Sequence, residues 1–196
     1  MAAEERIPER DKWKGKRMSL AYTRFFPKMY ELLRPRVATF DGAVNDLEEL
    51  RGLFMAANLA RGVPGDAAEL GVLRGGTARL IADILNDRPV HLFDTFTGIP
   101  ENDLPGGHRK GDFNTVNVNE VREYLSPCSN VVFHVGFFPA TAVEAAERRF
   151  SFAHFDGDIY QSCKAFIDFF WPRMNTGGIM AFHDYGRPEC PGVVKA

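Results

Sequence analysis

The chain has 196 residues and a formal net charge of -2, with 45% hydrophobic and 26% charged residues. This length and composition indicate a globular domain with a substantial core and exclude a mainly disordered chain. The balanced charge has no basic stripe and no apolar run approaches the roughly 20 residues of a membrane span, so neither nucleic acid nor membrane is an expected partner.

Cysteine usage and the N-terminus both favour a cytoplasmic setting. The three cysteines, Cys128, Cys163 and Cys190, are odd in number and show no CxxC spacing, so neither a zinc site nor a disulfide framework is implied. The N-terminus alternates charged residues and lacks the apolar core of a signal peptide. A reduced, cytoplasmic protein is therefore expected.

Residues 1–62 are predicted to form an N-terminal helical cap segment. Apolar residues recur at helical spacing over residues 20–33, which indicates either a cap helix on a core or a lid over a substrate pocket. A clearer helix is predicted from Asp46, and it ends at the glycine- and proline-rich stretch before Gly65. We expect the remaining residues, 63–196, to form the ligand-binding domain.

From Ala67 onward the pattern alternates between strands and helices. The predicted strands are Ala67–Val72, Val90–Phe93, Val131–Val135, Phe152–Phe155 and Gly178–Phe182, and the predicted helices are Ala78–Leu85, Val118–Leu125, Ala140–Arg149 and Tyr160–Trp171. Such alternation is typical of an α/β fold with a doubly wound, Rossmann-like parallel sheet and helices on both faces. Ligands in this fold bind at the carboxyl ends of the strands.

The first predicted strand runs into a glycine-rich turn that suits a nucleoside ligand. Its characteristic residues are Gly71, Gly75, Gly76 and Thr77. Glycine lets the backbone bend sharply and approach a ligand closely. Glu69 would repel a pyrophosphate, so a ligand with an amine or sulfonium fits better. Asp94 ends the second strand, where an acid can accept hydrogen bonds from ribose hydroxyls.

The fourth and fifth predicted strands end in acidic residues. Asp156 and Asp158 follow the fourth strand, and His183 and Asp184 follow the fifth. These strands are neighbours in a doubly wound sheet, so the acids gather at one rim and repel one another unless a cation joins them or one takes up a proton. Oxygen ligands favour Mg²⁺, with Ca²⁺ or Mn²⁺ as alternatives. Asp158 could instead cap the helix that begins near Tyr160.

Two further segments follow strand ends. The polar loop Gly106–Phe113, which contains His108, is either a solvated connector or a substrate lid. Gly136 and Phe137 follow the third strand, where an aromatic ring could border an adenine or belong to the core.

Six sequence blocks together resemble one known family. They are Glu69–Thr77, Phe93–Pro100, Gly111–Phe113, Gly136–Thr141, Asp156–Ser162 and His183–Gly186. From about Leu47 to its end, the chain resembles the macrocin O-methyltransferase family, whose members use S-adenosylmethionine to methylate sugar hydroxyls of macrolides and related natural products. The Phe93–Pro100 and Asp156–Ser162 blocks are the specific ones.

The resemblance implies a cofactor site. Glu69 and the glycine turn would bind the methionine part of S-adenosylmethionine, and Asp94 would anchor its ribose. Phe96, and Gly136 together with Phe137, would surround the adenine.

The resemblance also implies a metal and an acceptor site. Asp156, which also borders the cofactor, and Asp184 match the family's metal-ligand positions. His183 stands where members usually carry a second Asp, and as a softer, neutral third ligand it leaves the metal's identity open. Methyl transfer to a hydroxyl would then need a proton acceptor, for which Asp158 or His183 is expected and His108 is a remoter candidate. The expected acceptor is a deoxysugar hydroxyl on a glycosylated natural product.

The C-terminus departs from the family pattern. Relatives continue through another helix and an antiparallel hairpin, whereas this sequence stops at Ala196. We expect that hairpin to be absent, because the chain is either a fragment or a shortened natural version. The fifth strand would then have an exposed edge that could pair with another chain, and a homo-oligomer is expected.

Two alternative functions stay open. One is a catechol-type O-methyltransferase with the same metal chemistry and an aromatic diol as acceptor. The other is a non-catalytic cofactor-binding or scaffolding protein. A nicotinamide-dependent oxidoreductase is disfavoured, because Glu69 and the glycine spacing are unsuited to a pyrophosphate.

Overall fold

The computed structural model describes residues 47–196, so the helix predicted over residues 20–33 lies outside the described part. The helices are α1 (Leu47–Ala60), α2 (Gly76–Ile84), α3 (Val118–Leu125), α4 (Tyr160–Phe170) and α5 (Pro191–Lys195). The strands are β1 (Asp66–Leu70), β2 (Val90–Asp94), β3 (Val131–Val135), β4 (Phe150–Phe155) and β5 (Met174–Phe182). Two 3₁₀ helices cover Ala140–Ala145 and Trp171–Arg173. The division at residue 62 stays a prediction.

The five strands form one sheet in the order β3-β2-β1-β4-β5, and every pairing is parallel. The predicted α/β fold and the adjacency of the fourth and fifth strands are therefore confirmed. The chain order reverses between β1 and β4, and that switch point is where doubly wound sheets bind ligands. Within residues 47–196 the strand β5 forms one edge of the sheet, and association through that edge stays a prediction. Among the described helices, none combines the length and apolar character that crossing a membrane requires.

The central strands are buried on both faces, which explains their nearly continuous apolar runs, whereas β3 and β5 at the edges are partly exposed. Every residue of β1 and β4 is buried. On one face the side chains of Leu70, Phe93 and Phe155 pack against α4. The rings of Phe166 and Phe170 on that helix are 4.6 Å apart and close an aromatic core. This packing fixes where the strands end and therefore where the polar residues after them lie.

The helix predicted over Ala140–Arg149 is wrong in type and in length. The segment is a 3₁₀ helix that ends at Ala145. Arg149 cannot be helical because its carbonyl accepts a hydrogen bond of 2.8 Å from the Asp66 amide, at the edge of β1. The need to pair with β1 outweighs the helix propensity of an alanine- and glutamate-rich segment.

A network of buried polar side chains runs across β1, β2 and β3. His91 lies 3.0 Å from the Asp66 carboxylate through Nε2 and 2.9 Å from His134 Nε2 through Nδ1. His134 Nδ1 lies 3.2 Å from Glu144, and Arg148 donates to Asp66. Burial lowers the pKa of His134, the charge of His91 acts in the same direction, and Glu144 offsets them only in part.

The lowered pKa of His134 makes stability pH-dependent. The unfolded chain binds a proton near the ordinary value of 6.5, whereas folded His134 resists protonation. Its contribution to stability is therefore lost as the pH falls below 6.5. Between about pH 7 and pH 5, wild type should lose more unfolding free energy than His134→Gln, as measured by urea denaturation. Equal losses in the two proteins would contradict this prediction.

Candidate active site

The glycine turn follows β1 directly and touches the end of β4. Gly71 has a φ of 89°, and a Cβ built there would lie 1.9 Å from the carbonyl oxygen of Asp156. Gly75, with a φ of 85°, forms the N-cap of α2. These two positions require glycine because the backbone is left-handed there and, at Gly71, another main chain lies against it. The turn and the acidic rim are therefore in direct contact.

Asp94 holds the turn in place. Its Oδ2 accepts hydrogen bonds from the amides of Val72 (2.7 Å) and Leu73 (2.9 Å), and its Oδ1 accepts one from Phe96 (2.7 Å). The Gly136 amide donates to the Asp94 carbonyl at 2.9 Å. A carboxylate has about four acceptor positions, so three bonds leave roughly one for a ligand hydroxyl. The predicted ribose anchor thus has acceptor capacity left and also shapes the turn.

Glu69 is fully buried on β1 beside His154 of β4, a residue that the sequence analysis did not single out. Glu69 Oε1 lies 2.8 Å from His154 Nδ1, while its Oε2 has no hydrogen-bond partner in the described part of the chain. Burial raises the pKa of Glu69, and the His154 and Thr77 side chains offset this only in part. A buried acceptor without a partner is costly, which indicates a ligand donor here. The signal for His154 was a histidine in an otherwise apolar strand.

Three carboxylates meet after β4 and β5. Asp156, Asp158 and Asp184 each offer an oxygen within 4.8 Å of the others. Asp158 and Asp184 have φ values of 60° and 58°, a left-handed conformation that side chains rarely adopt and that is common at functional sites. Burial, and then the charges of Asp156 and Asp184, raise the pKa of Asp158 well above its usual range. The clustered negative charges therefore favour binding of a proton or a cation at this rim.

His183 lies between two of these acids. Its Nδ1 is 2.9 Å from Asp156 and 2.7 Å from Asp184. Burial alone would lower the pKa of His183, but hydrogen bonds to both carboxylates outweigh it and raise the pKa to about 11. The same bonds outweigh burial at Asp184 and lower its pKa. Without a bound cation, the imidazolium supplies positive charge between the two carboxylates.

Two residues outside the predicted set complete the rim. Glu49 on α1 lies 3.1 Å from His183 Nε2 and accepts a hydrogen bond from Arg187. Arg187 also lies 3.1 Å from Asp184. No sequence signal could have found Glu49, because it stands 134 positions before His183.

The polar loop lies beside the acids, and its role as a connector or a substrate lid stays a prediction. Asp103 Oδ1 accepts a hydrogen bond of 2.8 Å from the Tyr160 amide, so Asp103 caps α4 and Asp158 does not. His108 lies close to Asp158 and Cys190, with ligand atoms within 4.8 Å of one another. The structure therefore brings together all predicted catalytic and metal residues.

The two predicted adenine contacts differ in exposure. Phe96 is buried beside the turn, whereas Phe137 is 50% exposed after β3. Their contact with a base stays a prediction.

Comparison with known proteins points to one family. The profile described as Macrocin-O-methyltransferase (TylF) matches residues 33–196. The demethyldecarbamoylnovobiocin O-methyltransferase of Streptomyces niveus is 32% identical over 154 residues, which cover 69% of this chain and 59% of that protein. The 8-demethyl-8-(2,3-dimethoxy-alpha-L-rhamnosyl)-tetracenomycin-C 4'-O-methyltransferase of Streptomyces olivaceus is 30% identical, with the same coverage of both chains.

A solved structure of an O-methyltransferase is also similar to this chain. The O-methyltransferase NovP superposes with a TM-score of 0.65 at 30% identity, covering 75% of this chain and 68% of that one. The chain spans about three fifths of the length of the two curated relatives.

Proposed function

The chain belongs to the macrocin O-methyltransferase family, and from this premise we propose that it transfers a methyl group from S-adenosylmethionine to a deoxysugar hydroxyl of a natural product such as a macrolide. The observation that carries the proposal is the contact between the Gly71 turn and the acidic rim at Asp156. That contact supports the proposal, because the turn would then hold the cofactor next to the residues proposed to deprotonate an alcohol. One relative is named for a methyl transfer to a rhamnosyl-bearing tetracenomycin, which supports a glycosylated acceptor.

The residues around the turn fit the cofactor. The unpartnered Oε2 of Glu69 suits the cationic amine of the methionine part, and Asp94 has an acceptor position for a ribose hydroxyl. The methionine part would be lined by Gly71, Gly75, Gly76 and Thr77. The adenine would be surrounded by Phe96, Gly136 and Phe137. When bound, the cofactor supplies an activated methyl group on a sulfonium.

The rim fits a divalent cation. Asp156 and Asp184 supply the oxygen donors that Mg²⁺, Ca²⁺ or Mn²⁺ prefer. The raised pKa of Asp158 indicates that its negative charge is destabilised by its neighbours, so a nearby cation would be stabilising. We propose Asp156, Asp184 and His183 as ligands, the last after release of its ring proton. The cation would supply Lewis acidity at the acceptor hydroxyl.

Asp158 is the proposed proton acceptor. His183 Nδ1 faces two carboxylates, which raise the pKa of the ring to about 11. The ring therefore already carries its proton near neutral pH and is a poor base without a cation. Asp158 has a raised pKa, which brings a carboxylate closer to the range of an effective base near neutral pH. His108, which lies near Asp158 and Cys190, stays the remoter candidate.

Calorimetry with S-adenosylmethionine tests the cofactor site. Glu69→Gln should weaken binding by about 10- to 100-fold, because one charge-assisted hydrogen bond is lost from a buried acid. The matched control is Glu147→Gln, at an exposed position, which should bind as wild type does. Equal affinities of Glu69→Gln and wild type would overturn the assignment of Glu69.

The same sample distinguishes the alternative functions. Wild type that binds no S-adenosylmethionine would favour a scaffolding role. If binding is found, turnover of a panel of deoxysugar glycosides and catechols identifies the acceptor class. Methylation of catechols alone would overturn the sugar proposal.

A further inference from the structure

We propose that His108, Asp158 and Cys190 form a binding site for a thiophilic divalent cation, Zn²⁺, beside the acidic rim. Their ligand atoms lie within 4.8 Å of one another, and Cys190 Sγ is 3.9 Å from Asp158 Oδ1. Cys190 is 1% exposed, and its contact with Asp158 shows that the thiol faces the cluster. This site lies outside the residues proposed to hold the catalytic cation, except that Asp158 contacts both groups.

The donor set distinguishes the two sites chemically. One sulfur, one imidazole nitrogen and one carboxylate oxygen match Zn²⁺, which often takes three protein ligands and leaves a fourth position open. The site proposed for the catalytic cation, made of Asp156, Asp184 and His183, has two carboxylates and no sulfur, and it suits harder ions. Binding forms a zinc–sulfur bond as the Cys190 thiol releases its proton to solvent.

A single residue fixes all three ligand-bearing segments. The Asp103 amide donates to the His108 carbonyl at 2.9 Å, and the Asp103 carboxylate accepts from the amides of Tyr160 (2.8 Å) and Gly192 (3.3 Å). Tyr160 comes shortly after Asp158, and Gly192 comes shortly after Cys190. Three segments distant in sequence are therefore held together before any ion binds, as a preorganised site requires.

The imidazole is oriented by a carboxylate of its own. His108 Nδ1 lies 3.3 Å from Asp112 Oδ2, and the Phe113 ring lies 5.1 Å from the imidazole. Occupation of Nδ1 leaves Nε2 for a ligand. Metal-bound histidines usually have such a carboxylate partner on the second ring nitrogen.

Zinc bound here would engage the carboxylate that we propose as proton acceptor. Zn²⁺ should therefore inhibit methyl transfer. The site itself depends only on the chain's own residues and not on the proposed reaction.

The test uses Co²⁺ as a spectroscopic substitute for Zn²⁺. Titration of the full chain should give a saturable thiolate-to-cobalt charge-transfer band, which added Zn²⁺ abolishes and excess Mg²⁺ does not. Cys128→Ser, at another buried cysteine, should keep the band, whereas Cys190→Ser should lose it. His108→Gln and Asp103→Ala keep all three thiols and should each weaken Co²⁺ binding at least about tenfold.

The outcomes separate this proposal from the enzymatic one. A folded wild type without the band, or an equal band in Cys190→Ser, would overturn the zinc site. If Cys190→Ser does not fold, unchanged Co²⁺ affinity in folded His108→Gln would overturn it as well. Failure to bind S-adenosylmethionine would overturn the proposed function and leave the cobalt result intact.

Discussion

Replacing Asp184 with asparagine is expected to lower kcat/KM for methyl transfer by at least about a hundredfold while S-adenosylmethionine still binds. Asp184 is one of the three clustered carboxylates, and it lies 2.7 Å from His183 and 3.1 Å from Arg187. Asparagine has the same shape but no charge, so it weakens the cation site and leaves the cofactor turn unchanged. Turnover of a deoxysugar glycoside and calorimetry with the cofactor measure the two effects separately.

Asp168→Asn is the matched control for this substitution. Asp168 is an exposed acid on α4 that pairs with Lys164 at 2.7 Å, away from the rim. Its loss should leave turnover within about twofold of wild type, because exposed ion pairs contribute little. Full activity of Asp184→Asn, with or without a chelator, would end the metal-assisted proposal.

Gly71→Ala is expected to destabilise the fold by about 3–5 kcal/mol and to abolish cofactor binding. The new Cβ would lie 1.9 Å from the Asp156 carbonyl oxygen at a φ of 89°. Either the turn or the end of β4 must move, and both carry the proposed site. Urea denaturation gives the loss of unfolding free energy, and calorimetry gives the loss of affinity.

Gly52→Ala tests whether glycine replacement as such is harmful. Gly52 lies within α1, and a Cβ there would meet nothing within 4 Å. Alanine should leave stability unchanged or raise it by up to about 1 kcal/mol. A loss below about 1 kcal/mol in Gly71→Ala would show that the close approach to Asp156 is not rigid.

The sequence pattern predicted the sheet because each strand stands out by its own local composition. β3 and α3 have the predicted bounds, and β1 and β2 differ by one or two residues. The largest strand error is at β5, which begins at Met174 and not at Gly178. Gly177 and Gly178 have low strand propensity, and the pairing of β5 with β4 is irregular there, since Met174 lies opposite Phe150 and Ile179 opposite Phe152. The local sequence therefore did not reveal where the strand begins.

The site was predictable where its residues follow strand ends. Asp156, Asp158, His183 and Asp184 could be placed together because parallel neighbours end at the same edge. Glu49 and Cys190 could not, because their positions depend on how α1 and the segment before α5 fold back. Tertiary contacts of that kind leave no period or spacing in the sequence.

The sequence also could not predict that the Asp94 carboxylate has a structural role besides the proposed ligand contact. Its position predicted a ribose ligand, yet three backbone amides already use it in the folded chain. A strand-end acid can therefore stabilise a turn before it binds a ligand.

The main-chain contact between Gly71 and Asp156 also bears on how this protein can evolve. Gly71 cannot gain a side chain unless the end of β4 moves, because the new Cβ would collide with the Asp156 main chain. A substitution of Gly71 would therefore be tolerated only together with a change that shifts the end of β4. The polar loop does not pair with any strand of the sheet, and Asp103 links it to the rim. Loop residues can therefore be substituted one at a time during evolution. We expect changes in acceptor specificity to arise mainly in this loop.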